Sequence, residues 1–237
     1  METTAAAQPA ELTQKQADRN IRKVALTALA GTSIEWYDFF LYGTAAALIF
    51  PTLFFPADMP PFMALIASFS TFAIGFLARP LGGIIFGHFG DSVGRKKVLV
   101  IALLIMGVAT TAIGLLPSFQ TIGVAAPLLL VLLRFVQGLA IGGQWGGATL
   151  LVTESAPPAK RGFYGAFAQA GAPAGVILAN LAFLAVSATI PEPAFSEWGW
   201  RIPFLASAIL IGISIYVQVH LEDTPAFKAL EKAKELE

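Results

Sequence analysis

The chain has 237 residues, 56% of them hydrophobic and 13% charged, with a mean hydropathy of +0.72. A water-soluble domain carries about a quarter charged residues, so the apolar excess has to sit in lipid. Fifteen Lys and Arg balance fifteen Asp and Glu, which argues against a basic nucleic-acid binder, and without cysteine, with His88 and His220 far apart, neither a disulfide framework nor a zinc cluster is expected.

Residues 1–23 are polar and Ala-rich and carry Lys15, Arg19, Arg22 and Lys23 just ahead of the first apolar run. They resemble the basic start of a secretory signal, but the run that follows, Val24 to Phe50, exceeds the roughly 7–15 residues of a signal's apolar stretch and contains Glu35 and Asp38. The expectation is a cytoplasmic segment leading into a retained first helix. A spanning helix needs about 20 mostly apolar residues, and six runs qualify: 24–50, 63–88, 98–116, 122–152, 162–188 and 201–221. Turn chemistry separates them at Pro51 to Pro61, Gly87 to Lys97, Leu116-Pro117-Ser118, Pro157-Pro158 and Pro191 to Pro193. The expected organisation is an N-terminal segment 1–23, a membrane bundle 24–221 and a cytoplasmic segment 222–237. In that last stretch Thr224-Pro225 suits a helix start, and Lys228, Glu231, Lys232 and Glu235 suit a solvated helix face.

Charge orients the bundle. Lys15, Arg19, Arg22, Lys23, Arg95, Lys96, Lys97, Lys160, Arg161, Lys228, Lys232 and Lys234, twelve of the fifteen basic residues, all fall on the side of the N-terminus. The opposite loops hold Asp58, Glu192 and Glu197 and no basic residue before Arg201. The positive-inside rule then puts both termini in the cytoplasm of a multi-pass cell-membrane protein.

Charges at membrane depth are expensive, and so mark pairs or functional sites. Glu35 and Asp38 share a face of the first helix, with Tyr42 one turn on. At 1.5 Å per residue, Asp38 stands about 21 Å and Glu35 about 16 Å above Val24, and Arg134 on the antiparallel fourth helix lies about 10–18 Å below that helix's outer end. Asp38 and Arg134 are therefore expected at similar depth, with Arg79 nearer the level of Glu35. One reading makes Glu35, Asp38 and Arg134 the lining of a polar cavity, where one carboxylate takes up a proton while Arg134 holds an anionic substrate or the carboxylate of the empty state. The other is a static buried ion pair between helices. Arg79 reads as snorkelling or paired beside Pro80.

The segment Gly87-His-Phe-Gly90-Asp91-Ser-Val-Gly94-Arg95-Lys96-Lys97 offers glycines for a tight reversal, a carboxylate for helix-terminal donors and a basic cluster for the anionic cytoplasmic surface. It resembles motif A of the major facilitator superfamily, and Arg134-Phe-Val-Gln-Gly138-Leu-Ala-Ile-Gly142 resembles that superfamily's R-x-x-x-G-x-x-x-G helix-four motif. Gly31-Thr-Ser-Ile-Glu-Trp-Tyr-Asp-Phe-Phe-Leu-Tyr-Gly43, Arg79-Pro-Leu-Gly-Gly-Ile-Ile-Phe-Gly and Trp198-Gly-Trp-Arg-Ile-Pro-Phe204 narrow the likeness to the metabolite:H+ symporters, nearest the shikimate branch. The resemblance implies an all-α membrane protein whose six transmembrane helices form one half, the N-terminal bundle of two three-helix repeats, of a twelve-helix carrier. Such carriers bind substrate between their halves. A fragment, a truncated product, one piece of a split carrier and a self-pairing half all stay open.

By this resemblance the chain is a proton-coupled carrier of a small organic acid or zwitterionic metabolite, with Glu35, Asp38, Tyr42, Arg134 and Gln144 at the substrate and proton site. Gly87, Gly90, Asp91, Gly94, Arg95, Lys96 and Glu154 form the gate, where Glu154 pairs with Arg95. Gln144 departs from the glutamate common at this position, and a neutral amide cannot exchange a proton. Gly138, Gly142 and Gly146, with Gly171 and Gly175, read as helix-packing positions. No phosphate-cradling loop, nucleophile–histidine–carboxylate set or metal-ligand group stands out, so neither an enzyme nor a cofactor is expected, the proton apart. The expected partners are the bilayer, a small-molecule substrate and a second six-helix half or another copy. The competing class is a non-transporting bundle acting as an interaction or regulatory subunit.

Overall fold

In the computed structural model the chain is described over residues 7–93 and 95–219, with side chains described for 17–93 except 91 and for 97–219 except 145–148, 217 and 218. The apolar runs become α1 (Ala7–Leu48), α3 (Pro61–Val93), α4 (Arg95–Leu115), α6 (Ala125–Ser155), α7 (Arg161–Thr189) and α8 (Arg201–Val219), with the short α2 (Phe50–Leu53) and α5 (Phe119–Ile122) in two of the turns. Among the described residues, five helices are long and apolar enough to cross a membrane: α3, α4, α6, α7 and α8. The sixth, α1, has ample length, since its 42 residues reach about 63 Å against a hydrocarbon core of about 30 Å. Within its apolar run, Thr27, Thr32, Ser33, Glu35 and Asp38 face inward and are buried.

That inversion runs through the molecule. Thr71, Thr110, Arg134, Gln137, Gln144, Ser207 and Ser214 are buried, while Leu48, Phe62, Leu77, Ile84, Leu128, Leu184 and Ile209 are more than half exposed. In water this arrangement would be costly on both counts. In lipid, polar groups must find partners inside the protein and apolar ones need none.

Helix pairing is set by small residues. The tightest pairs are α1 with α7 and α3 with α6. A Cβ on Gly82, Gly138 or Gly142 would overlap the carbonyl oxygens of Leu139, Gly75 and Arg79 respectively, so α3 and α6 touch backbone to backbone. Gly171 and Gly175 of α7 likewise lie against Thr32, Ser33 and Trp36 of α1. Where lipid is as apolar as the side chains, such close approach supplies the dispersion contact that holds helices together.

One end of the bundle is closed by aromatic rings. Trp200 is fully buried, 5.8 Å from the Phe50 ring and 5.6 Å from the Phe204 ring. Its neighbour Arg201 donates to the carbonyl oxygens of Gly114 (2.8 Å) and Leu116 (2.9 Å), capping the end of α4 and tying it to the start of α8. At the other end Ile21, Ala25, Val152, Ala156 and Tyr164 form a smaller apolar cluster.

Two expectations need correction or fall outside the structure. The segment from Gly87 to Lys97 is not an extended reversal loop: α3 continues through Gly87 and Gly90 to Val93 and α4 begins at Arg95, because the apolar runs propagate helix through the glycines. Gly94, His220 and the helix expected after Thr224 lie outside the described residues.

Gly142→Ala is expected to lower the melting temperature in detergent, at a cost of about 1–3 kcal/mol from forced separation of α3 and α6. Gly212→Ala, whose added Cβ meets nothing within 4 Å, should melt with the native chain. Equal melting of both variants would contradict the backbone contact.

Candidate functional site

Residues Arg134 and Gln137 are three apart on α6 and therefore share a face, which points at α1 and α4. There Gln137 bridges two charges. Its amide nitrogen donates to Asp38 Oδ2 (2.9 Å) and to Thr110 Oγ1 (2.7 Å), while its amide oxygen accepts from an Arg134 terminal nitrogen (3.0 Å). Thr110 Oγ1 donates to Asp38 Oδ1 at 2.6 Å. Asp38 and Arg134 do lie at one depth, but they do not form a direct ion pair: the amide stands between them. Nor do they line an open face of the bundle, since each is only 1% exposed.

Around Arg134 the fold makes a fitted slot. Its guanidinium carbon sits 4.2 Å from the centre of the Tyr42 ring and 4.9 Å from that of Phe72, a favourable contact for a desolvated cation. Space for it exists because Gly75 of α3 has no side chain, and a Cβ there would come within 2.7 Å of Arg134 Nε. That Nε has no hydrogen-bond partner. Tyr42 is fixed by a 2.6 Å hydrogen bond between its hydroxyl and Thr71 Oγ1.

Glu35 and Gln144 form a second polar centre, away from the first. Both are buried, 4% and 5% exposed, and both line a cavity of about 20 Å³ shared with Thr27, Thr32, Leu99 and Leu151. The amide oxygen of Gln144 is buried there without a hydrogen-bond partner. Arg79 of α3 instead lies against aromatic rings, 4.6 Å from the centre of Phe76 and 5.3 Å from that of Phe39. The aromatic run beside Glu35 is mostly packing: Tyr37, for example, donates to the carbonyl of Pro203 at 2.8 Å.

Of the expected gate, Gly87 is exposed and Gly90 buried in the last turns of α3, and Glu154 is half-buried near the end of α6. Gly94 and the side chains of Asp91, Arg95 and Lys96 lie outside the described residues, and with them the Glu154–Arg95 latch. Sequence reasoning missed Gln137 and Thr110. The available signal was polarity out of place, since Gln137 sits one turn after Arg134, and Thr110, with Thr111, interrupts an apolar span.

The comparisons with known proteins agree with this architecture. Residues 23–237 match the sugar (and other) transporter family. The inner membrane metabolite transport protein YhjE of Escherichia coli (strain K12) is 54% identical over 90% of this chain and 48% of its own length. The shikimate transporter of the same organism is 49% identical over 87% of this chain and 47% of its own length. A proline/betaine transporter of Salmonella typhimurium is 43% identical over 89% and 42%. The chain thus spans about half the length of the relatives it matches. Among solved structures, the inward-open xylose transporter XylE from E. coli superposes with a TM-score of 0.77 at 18% identity, over 90% of this chain and 50% of that one, a likeness of fold. With a family match over nearly its whole length and a bundle that superposes on half of a solved carrier, the chain belongs to the sugar (and other) transporter family of the major facilitator superfamily.

Proposed function

We propose that the chain is one half of a secondary transporter that imports a small organic acid or similar polar metabolite together with protons, by alternating access against a second six-helix unit. One observation carries this reading. Arg134 is a guanidinium sealed in an apolar bundle, with one N–H unspent and its nearest carboxylate, that of Asp38, reached only through the Gln137 amide. A purely structural buried arginine is expected in a direct, fully satisfied pair, because an incomplete one is costly. An arginine held by a neutral amide keeps its charge available to a second anion. Relatives named for shikimate, proline and betaine support the substrate class, since each of those compounds carries a carboxylate.

In this mechanism Gln137 is a relay. When a substrate carboxylate reaches Arg134, the guanidinium releases the Gln137 oxygen, the amide turns, and Asp38 loses a donor. The cavity then holds one anion more than its cations balance, and a proton taken up by Glu35 or Asp38 restores neutrality. Proton and substrate thereby enter together. Motif A, from Gly87 to Lys96, with Glu154, holds one closed state by contact with the second unit.

The reading places the protein in the inner membrane, passing several times, with both termini in the cytoplasm, because Lys97, Lys160 and Arg161 cluster at the same end as the start of α1. The cysteine-free sequence allows a direct check. A membrane-impermeant maleimide applied to intact cells should label Gln120→Cys and leave Lys160→Cys unlabelled, and the reverse pattern would invert the topology.

Transport tests the mechanism. Uptake by proteoliposomes carrying the chain with its second six-helix unit should fall as external pH rises. Arg134→Gln should weaken binding of a carboxylate substrate by about 30-fold or more, the cost of about 2 kcal/mol or more for losing a buried charge partner. At least one of Glu35→Gln and Asp38→Asn should lose pH-dependent accumulation. Full pH-dependent accumulation in both would end the proton-coupled reading.

A further inference from the structure

Between α4 and α8 the exposed surface of the bundle is hollowed at membrane depth. A groove of about 430 Å³ is lined there by Leu104, Val108 and Leu115 of α4, each more than half exposed, and deepened by the small residues Gly107, Ala208 and Gly212. A Cβ on Gly212 would meet nothing within 4 Å, so the hollow is open at that point. Among the described residues the one polar side chain in the lining is Thr111, whose hydroxyl donates to the carbonyl of Gly107 in its own helix at 2.7 Å. Such a groove stays dry, and what fills it within a bilayer has to be apolar. From Leu104 to Leu115 α4 rises about 16 Å, close to half of a hydrocarbon core of about 30 Å. That is the reach of one leaflet.

Just beyond Leu115, at the end of α4, stands Arg201. Its guanidinium sits on the carbonyl oxygens of Gly114 and Leu116, on either side of that leucine, and 4.6 Å from the centre of the Trp200 ring. Both hydrogen bonds leave from one terminal nitrogen, and among the described residues its other two nitrogens make none. Trp198, half exposed three residues earlier, marks this level as the membrane–water interface, where indole rings collect. We propose that one glycerophospholipid binds here, with an acyl chain laid in the α4–α8 groove and its phosphate accepting from Arg201. The acyl chain alone gains little, because it exchanges lipid neighbours for equally apolar side chains. The charge-assisted contact to phosphate is what selects and holds this one lipid. The loops at that end carry Asp58, Glu192 and Glu197 against a single cation, a balance that suits a zwitterionic headgroup, whose amine offsets the acidic loops, over a net anion. No residue of the groove belongs to the Arg134 network, so the site is independent of what the bundle transports.

Native mass spectrometry of the chain, released from detergent with dioleoylphosphatidylcholine added, should show one retained lipid per chain. Dioleoylglycerol, which has the same acyl chains and no phosphate, should be retained about tenfold more weakly, the loss of a hydrogen bond to a charged group. Arg201→Gln should weaken retention of the intact lipid by about as much. Gly212→Leu, which fills the groove and leaves Arg201 in place, should release the lipid. Ile209→Leu, exposed on α8 outside the lining, should keep it. Unchanged retention in Gly212→Leu, equal retention of dioleoylglycerol, or tighter retention of dioleoylphosphatidylglycerol would each overturn the proposal. So would a mass of two chains in place of a lipid adduct, which would make the groove a contact between copies. Should Arg201→Gln fail to fold, the dioleoylglycerol comparison on the native chain decides the role of the phosphate.

Discussion

A guanidinium placed where there is no water has to be satisfied by the protein around it, and in this bundle that requirement organises four helices. Arg134 of α6 donates a hydrogen bond to Gln137 of its own helix, lies against the aromatic faces of Tyr42 of α1 and Phe72 of α3, and has its space from Gly75 of α3. Gln137 passes the connection on to Asp38 of α1 and Thr110 of α4. A transfer cost of several kcal/mol for a lone charge is spread over partners from every helix that touches it. Moving any one of α1, α3, α4 or α6 by the width of a water would leave a charged or hydrogen-bonding group stranded.

Packing and chemistry are linked through the same residues. The polar network among α1, α4 and α6 is short, with all its hydrogen bonds at 3.0 Å or less, and beside it glycines let α3 and α6 meet at backbone distance. Bulkier side chains at Gly138 or Gly142 would push α3 outward and take Gly75 and Phe72 away from Arg134. Small residues thus do more than provide lipid-phase adhesion: they set the position of the wall against which the charge is held. The aromatic cluster at Phe50, Trp200 and Phe204 and the Arg201 cap on α4 hold one end of the bundle rigid.

Helix α1 carries two carboxylates in unlike surroundings. Asp38 meets Thr110 and the Gln137 amide. Glu35 instead lines the small cavity that it shares with Gln144. The 4.5 Å or so of helix rise between them is enough to place them against different neighbours.

Much of the fold was legible in sequence. Runs of about 20 apolar residues, with prolines and glycines between them, indicate the long helices, their order and, except at the start of α1, their limits to within a few residues, because backbone hydrogen bonding in lipid leaves helix as the available form. The sequence also singled out Asp38 and Arg134, since a charged group at membrane depth is conspicuous against its neighbours. Its reach ended at contact. Rise per residue put Asp38 and Arg134 at one level but could not say that Gln137 would come between them, because that depends on the rotation of α6 against α1, which is fixed by Gly75 and the aromatic rings of other helices. For the same reason Glu35 and Asp38 read as one acidic pair along the chain and became two separate sites in space. Only the assembled bundle decided which face of α1 met Thr110 and which met Gln144, since side-chain partners in a helical membrane protein are chosen by neighbouring helices and not by neighbouring residues.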